Sequence, residues 1–200
     1  MKTTNQKFRV QNVAKHSIYL GLFLSSVLLM TSCQPDDPEV VNEEEVITTV
    51  ITTLKSGENT ITLQSKDADG DGPMNPTVTV SGILNTNTAY TGTVSFLNEL
   101  VNPATNISEE VLKEGVDHQL FFQAPTAFGN FVYNDTDVNG KPIGLSFTFT
   151  TGASVTSGNL IITLRHEPNK SASGVAGGSI VNAGGATDAE VIYYPIVIEN

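Results

Sequence analysis

Short runs of alternating polar and apolar residues, broken every few positions by turn residues, constrain this chain more than any other feature. Residues 144–151 read G-L-S-F-T-F-T-T and put Leu145, Phe147 and Phe149 on one face, the period of a half-buried strand. Val46 to Leu54 reads V-I-T-T-V-I-T-T-L, a density of β-branched side chains that suits a strand and disfavours a helix. Further strands are predicted at Thr60 to Ser65, Thr77 to Ser81, Thr88 to Leu97, His118 to Gln123, Asn130 to Asn134, Leu160 to His166 and Ala189 to Ile198. Pro195 should place the last of these at an edge or a bulge, because it lacks the N–H a ladder needs. Ser56-Gly57-Glu58-Asn59, Asn85-Thr86-Asn87, Pro125 to Gly129 and Thr156-Ser157-Gly158-Asn159 supply turns.

One helix is expected, Ile107 to Val116. Asn106 can cap it, acids crowd its first turn, and Gly115 can end it. A parallel α/β fold needs helices between strands, so this pattern points to an all-β fold. The expected architecture is an antiparallel β-sandwich, Ig-like, with one short helix; a barrel is the alternative.

The front of the chain sets its compartment. Lys2, Lys7, Arg9 and Lys15 precede an apolar run, Ile18 to Met30, of 13 residues. A spanning helix needs about 20, so the run fits an export leader better than a permanent span. Met30-Thr31-Ser32-Cys33 resembles a bacterial lipobox, and Cys33 is the only cysteine. That resemblance implies cleavage before Cys33 and lipid on its sulfur and new amino terminus. Two or three acyl chains anchor where one holds only marginally. The expected organisation is therefore a signal peptide over 1–32, a lipidated acidic tether over 33–45, and one β-sandwich domain over 46–200.

The tether, with Pro35, Asp36, Asp37, Pro38 and Glu43 to Glu45, should stay extended and solvated. Its acidic start resembles the surface-export signal of Bacteroidota lipoproteins, which implies an outer-membrane protein displayed at the cell surface rather than on the periplasmic face. Beyond the leader, six basic residues face 21 acidic ones, an excess of 15 negative charges. Such a surface repels phosphate backbones, so nucleic acid is excluded as a partner and cations are favoured.

Two loops carry oxygen ligands at alternate positions before a glycine. They are Asp67-Ala68-Asp69-Gly70-Asp71-Gly72 and Asp135-Thr136-Asp137-Val138-Asn139-Gly140. This is how a calcium loop begins, so Asp67, Asp69, Asp71, Asp135, Asp137 and Asn139 are candidate ligands for Ca2+ or a similar hard ion. Val78 and Ser146 stand where an EF-hand has its bidentate glutamate, which rules that motif out. The same residues also make ordinary polar turns.

His118 and His166 are the histidines beyond the leader, with Asp117 and Glu167 beside them. Adjacent strand residues point to opposite faces, so neither acid can share an ion with its neighbouring histidine from a regular strand. Two strands can still bring His118 and His166 together as a transition-metal site.

Residues 167–188 form a long glycine-rich connection without a GxGxxG or Walker pattern. Connections of that length are often functional or disordered. GxSxG, HExxH and CxxC are absent, so no enzyme is expected. With no tryptophan and few tyrosines, sugar binding has little sequence support.

Several segments together resemble a family of short flavobacterial lipoproteins. They are the acidic tether to Glu45, the threonine-rich first strand, Asp67 to Gly72, Asp117-His118-Gln119, Asp135 to Gly140 and residues 164–170, L-R-H-E-P-N-K. Members carry the name "type 1 periplasmic binding fold" protein, although that two-lobed fold alternates strands with helices and this pattern does not. The resemblance brings no activity and no functional residues. The expectation is a non-enzymatic envelope lipoprotein that binds a small ligand, a metal ion or an outer-membrane transporter. A structural or adhesion module is the alternative, and a hydrolase a distant third.

Overall fold

A computed structural model describes residues 46–70 and 73–200. Cys33, the leader and the tether lie outside the described residues, as do Asp71 and Gly72. The described chain forms two sheets. Strands β1 (Thr49–Ser56), β2 (Asn59–Lys66), β3 (Thr77–Val80), β5 (Ala89–Asn98), β8 (Gly129–Tyr133) and β9 (Ser146–Thr151) make the larger sheet. Their order is β3-β2-β1-β5-β9-β8, with the two-residue β6 (Thr105–Asn106) also on β5. The smaller sheet runs β4-β11-β10-β7, from β4 (Leu84–Asn85), β11 (Ala186–Glu199), β10 (Thr156–His166) and β7 (His118–Gln123).

The two inner faces bury one apolar core, so the protein is the all-β sandwich that the alternation predicts. Leu54, Leu63, Tyr90, Phe96, Phe147 and Phe149 come from the larger sheet, and Leu120, Leu160, Leu164, Tyr193 and Ile198 from the smaller one. Their fully buried side chains each contribute roughly 1.5–3 kcal/mol of transfer free energy. Three tyrosines stitch the sheets together through their hydroxyls. Tyr193 on β11 donates to the Val50 carbonyl on β1 at 3.1 Å. Tyr90 on β5 accepts from the Asn85 N–H on β4 at 2.8 Å. Tyr133 on β8 donates to the Leu120 carbonyl on β7 at 2.6 Å. Burial pushes the Tyr133 and Tyr193 phenols up to about 12, against smaller opposing hydrogen bonds from Gln119 and Thr52.

Several expectations need correction. The sheet pairing is antiparallel except at β4, which pairs parallel to the end of β11. Thr156 to Asn159 is not a turn but the start of β10, paired against Gly158↔Ile196 and Thr156↔Ile198. Its turn residues are overridden by pairing with the end of β11, since all of 156–159 stay exposed or only half-buried. β11 begins before Ala189, and its second neighbour β4 pairs only Ile198 and Glu199, so the strand is an edge at Pro195, as expected. Pro195 falls where the register slips between Gly158 and Leu160, the bulge that proline tolerates.

The helix α1 (Ser108–Lys113) is shorter than predicted. The N-cap position is Ile107, which makes no side-chain cap, one residue later than expected; Asn106 still accepts from the Ser108 N–H at 3.2 Å and donates to Glu109 at 3.0 Å. The exit comes early because the chain must turn into β7 within a few residues, and Val111 alone is buried.

Candidate metal centre

The smaller sheet brings three metal-ligating side chains to one end. β7 and β10 pair antiparallel with His118 opposite His166 and Leu120 opposite Leu164. Both histidines therefore share the inner face with core leucines, which lie two residues after His118 on β7 and two before His166 on β10. Their rings stack at a centroid distance of 4.9 Å and an interplanar angle of 28°. Asp188 comes from β11, on the other side of β10. Arg165 pairs with Thr187 but Leu164 with Ala189, so Asp188 is the extra residue of a β-bulge. A bulge re-aims a side chain, and here it swings the carboxylate toward the histidines.

The Asp188 oxygens face different rings. Oδ2 lies 3.5 Å from His118 Nε2 and Oδ1 lies 3.8 Å from His166 Nδ1. One ligand atom from each of the three residues lies within 4.8 Å of the other two. A tetrahedral centre with bonds of about 2.0–2.2 Å keeps its ligand atoms roughly 3.3–3.6 Å apart, so closure onto an ion needs small movements.

The burial is graded. The His118 side chain is 1% exposed, Asp188 7% and His166 17%. His118 Nδ1 lies 3.1 Å from the Glu114 carbonyl. A carbonyl only accepts, so that nitrogen carries the proton, and in the neutral ring Nε2 presents its lone pair toward Asp188. Holding one imidazole nitrogen on a carbonyl while the other faces the ligand position is how proteins orient a metal-binding histidine. Asp188 Oδ2 is buried and accepts no hydrogen bond. His118 Nε2 and the carboxylate form an ion pair when the imidazole is protonated, and two ligand atoms when a metal ion takes the proton's place.

Local backbone features hold the arrangement. Glu167 has φ of +51° and turns the chain sharply after His166, and its N–H donates to the Asp117 carbonyl at 2.6 Å. Gly185 lies where a Cβ would come 2.1 Å from the His166 carbonyl oxygen, so only glycine lets β11 start this close to the end of β10. Arg165, on the opposite face, donates to Thr187 Oγ1 at 2.8 Å and steadies the strand on both sides of the bulge.

The structure joins His118 with His166, as two strands can, and supplies an acid the sequence did not single out. Asp117 and Glu167, the sequence neighbours, are not in the group. The aspartate loops are arranged differently. In the second loop, Asp137 Oδ1 accepts from the N–H groups of Asn139 and Lys141 at 2.8 and 2.9 Å. Its Oδ2 meets Lys170 Nζ at 3.0 Å. Asp135 accepts from the Gly144 and Ser146 N–H groups at 2.7 and 2.9 Å. The two carboxylates thus serve separate sets of donors, and the cation beside Asp137 is an ammonium from the chain itself.

In the first loop, Asp67 accepts from the Asp69 N–H at 3.2 Å, and Asp69 from the Met74 N–H at 3.3 Å. Both contacts tighten the turn. No protein-family description, curated protein or solved structure matches this chain.

Proposed function

We propose that the protein is a lipid-anchored envelope protein whose sandwich binds a divalent transition metal through His118, His166 and Asp188. The observation that carries this reading is the convergence of two imidazoles and one carboxylate, with ligand atoms within 4.8 Å, from three different strands. Two nitrogens and an oxygen suit Zn2+, Cu2+ or Ni2+ better than Ca2+ or Mg2+, which prefer all-oxygen cages. Three protein ligands leave a coordination position on the more exposed His166 side, where water or an incoming ligand can sit. The ion comes and goes on that side too.

Isothermal titration of the chelator-treated protein with Zn2+, Ni2+ and Cu2+ tests this reading. One equivalent should bind, and saturation at about 100 times the dissociation constant should add about 2.7 kcal/mol of stability. His166→Ala and Asp188→Asn should each abolish the heat. A flat titration for all three ions, or heats that persist in both variants, would remove the metal centre.

A further inference from the structure

Sheet edges invite pairing with other chains, and proteins blunt them with proline, charge, bulges, short strands or a covering segment. Most edges of this sandwich are blunted. β3 and β4 are short, at four and two residues, and β3 follows Pro76. β11 carries Pro195 and its bulges. β7 is covered at Leu120, whose N–H donates to the Ile143 carbonyl at 2.7 Å and whose carbonyl accepts from Tyr133 at 2.6 Å. β8 differs. It reads G-N-F-V-Y, with no proline and no charge, and among the described residues it pairs only with β9.

The ladder fixes which backbone groups β8 turns to its free side. In an antiparallel pair, opposite residues exchange both hydrogen bonds at every second position, and the residues between turn their N–H and C=O the other way. The Gly152 N–H donates to the Phe128 carbonyl at 2.8 Å, and the Asn134 N–H to the Ser146 carbonyl at 2.9 Å. On the same register Asn130 and Val132 bond to β9, so Phe131 and Tyr133 point their N–H and C=O groups away from it. A cleft of about 280 Å3 adjoins this edge, with Thr126, Gly177 and Gly178 among its walls. Phe122 and Phe131 are stacked on each other, and the Tyr133 hydroxyl is engaged with Leu120. What the cleft offers is therefore chiefly backbone, with the side chains of Thr126 and Asn130. No Asp, Glu, Lys or Arg lines it among the described residues.

We propose that β8 takes an extended peptide as an added strand, with one uncharged side chain of that peptide lodged in the cleft. Strand addition draws affinity from main-chain hydrogen bonds and specificity from pockets for alternate side chains. This flank has both: the outward N–H and C=O groups of Phe131 and Tyr133, and a hollow beside them. The peptide is neutral or basic, because the excess of negative charge beyond the leader repels acidic chains and other copies of this one. A strand of five residues is also short for a stable dimer, which buries about 1,200 Å2 or more. The site is separate from the metal centre and does not depend on it.

The test is NMR on the intact protein with acetylated heptapeptides KTVXVTK, where X is Ser, Thr, Asn, Leu or Phe, each at about 2 mM to reach millimolar affinities. At least one should shift the amides of Phe131 and Tyr133. It should also slow their hydrogen exchange several-fold, since those N–H groups gain acceptors. The same peptide N-methylated at every internal residue keeps its side chains and should do neither. Gly177→Phe, at a position where an added Cβ meets nothing within 4 Å, should fill the cleft. It should weaken binding at least tenfold and leave the melting midpoint unchanged. Five peptides that all leave both amides unmoved overturn the proposal. So does equal binding by the methylated peptide or to the Gly177→Phe protein. Slow exchange at Phe131 and Tyr133 in a peptide-free dimer, detected by sedimentation, would give the edge to a second copy and overturn it too.

Discussion

Lys170 is the residue whose loss should damage this fold most for its size. It is 6% exposed, although lysine is almost never buried without partners. Its ammonium donates to Asp137 Oδ2 at 3.0 Å, to the Pro142 carbonyl at 2.9 Å and to the Gly115 carbonyl. One cation thereby ties three segments together: the exit of α1, the Asp135–Gly140 loop and the start of the long connection. In Lys170→Met the stem is kept and the charge removed. Asp137, whose side chain is 2% exposed, then faces two carbonyls without a donor. Breaking a buried pair from one side costs about 3–5 kcal/mol. Asp137 keeps its two backbone N–H bonds on Oδ1, so the lower end, about 3 kcal/mol, is expected. Asp137→Asn should cost less, because an amide can still accept from Lys170. The double variant should cost at least about 1 kcal/mol less than the sum, as residues in one network do. Urea unfolding of the four proteins measures all three quantities. A loss below about 1 kcal/mol in Lys170→Met, or additivity in the cycle, would show that the ammonium holds nothing together.

Three further outcomes follow from single features. Burial raises the pKa of Asp137, but the Lys141 N–H, the Lys170 ammonium and the Asn139 N–H outweigh it and hold the carboxyl below its ordinary 3.8. A depressed folded value stabilises above the unfolded one and loses that contribution as pH falls through the folded value. Stability should therefore drop with acid below about pH 4, and less steeply in Asp137→Asn; equal slopes would contradict this. Gly92 faces Phe147, whose ring would lie 2.2 Å from an added Cβ. Gly92→Ala should thus cost about 1–3 kcal/mol by overpacking, partly restored by Phe147→Leu, as read from thermal midpoints. Cys33→Ser should abolish labelling by radioactive palmitate in a lipoprotein-processing host, and label retained in the variant would refute the lipid anchor.

The strands were legible because one face of each is buried. Leu145, Phe147 and Phe149 alternate in sequence and turn out half-buried or buried, since the core dictates that period. The start of β10 was hidden because Ser157-Gly158-Asn159 has turn chemistry, while its pairing is set by β11 far along the chain. The metal centre was half legible. His118 and His166 are the two histidines of the domain, but Asp188 comes close only through a bulge, which carries no sequence period. The stacking of Phe122 on Phe131 was not legible either. Phe122 and Phe131 become neighbours only when the two sheets end on the same flank. The burial of Lys170 was not legible, because the acceptors that surround it lie far away in sequence.

The long connection from His166 to Asp188 is where these features meet. Its interior is already anchored: Lys170 fixes one shoulder, Val175 and Ala183 pack on Phe121 in a small separate core, and Gln119 donates to the Val175 carbonyl at 2.8 Å. Its two ends carry His166 and Asp188 of the proposed metal centre. An ion at the centre would therefore clamp the ends and add little to the middle. Local opening free energies vary across a structure and are read by amide exchange. Adding Zn2+ should slow exchange at Arg165 to Glu167 and at Thr187 to Ala189, with little change from Ala172 to Ala183. Uniform slowing over the whole connection would mean that the interior is not held by its own contacts. Slowing in the interior alone would place the ion away from His166 and Asp188.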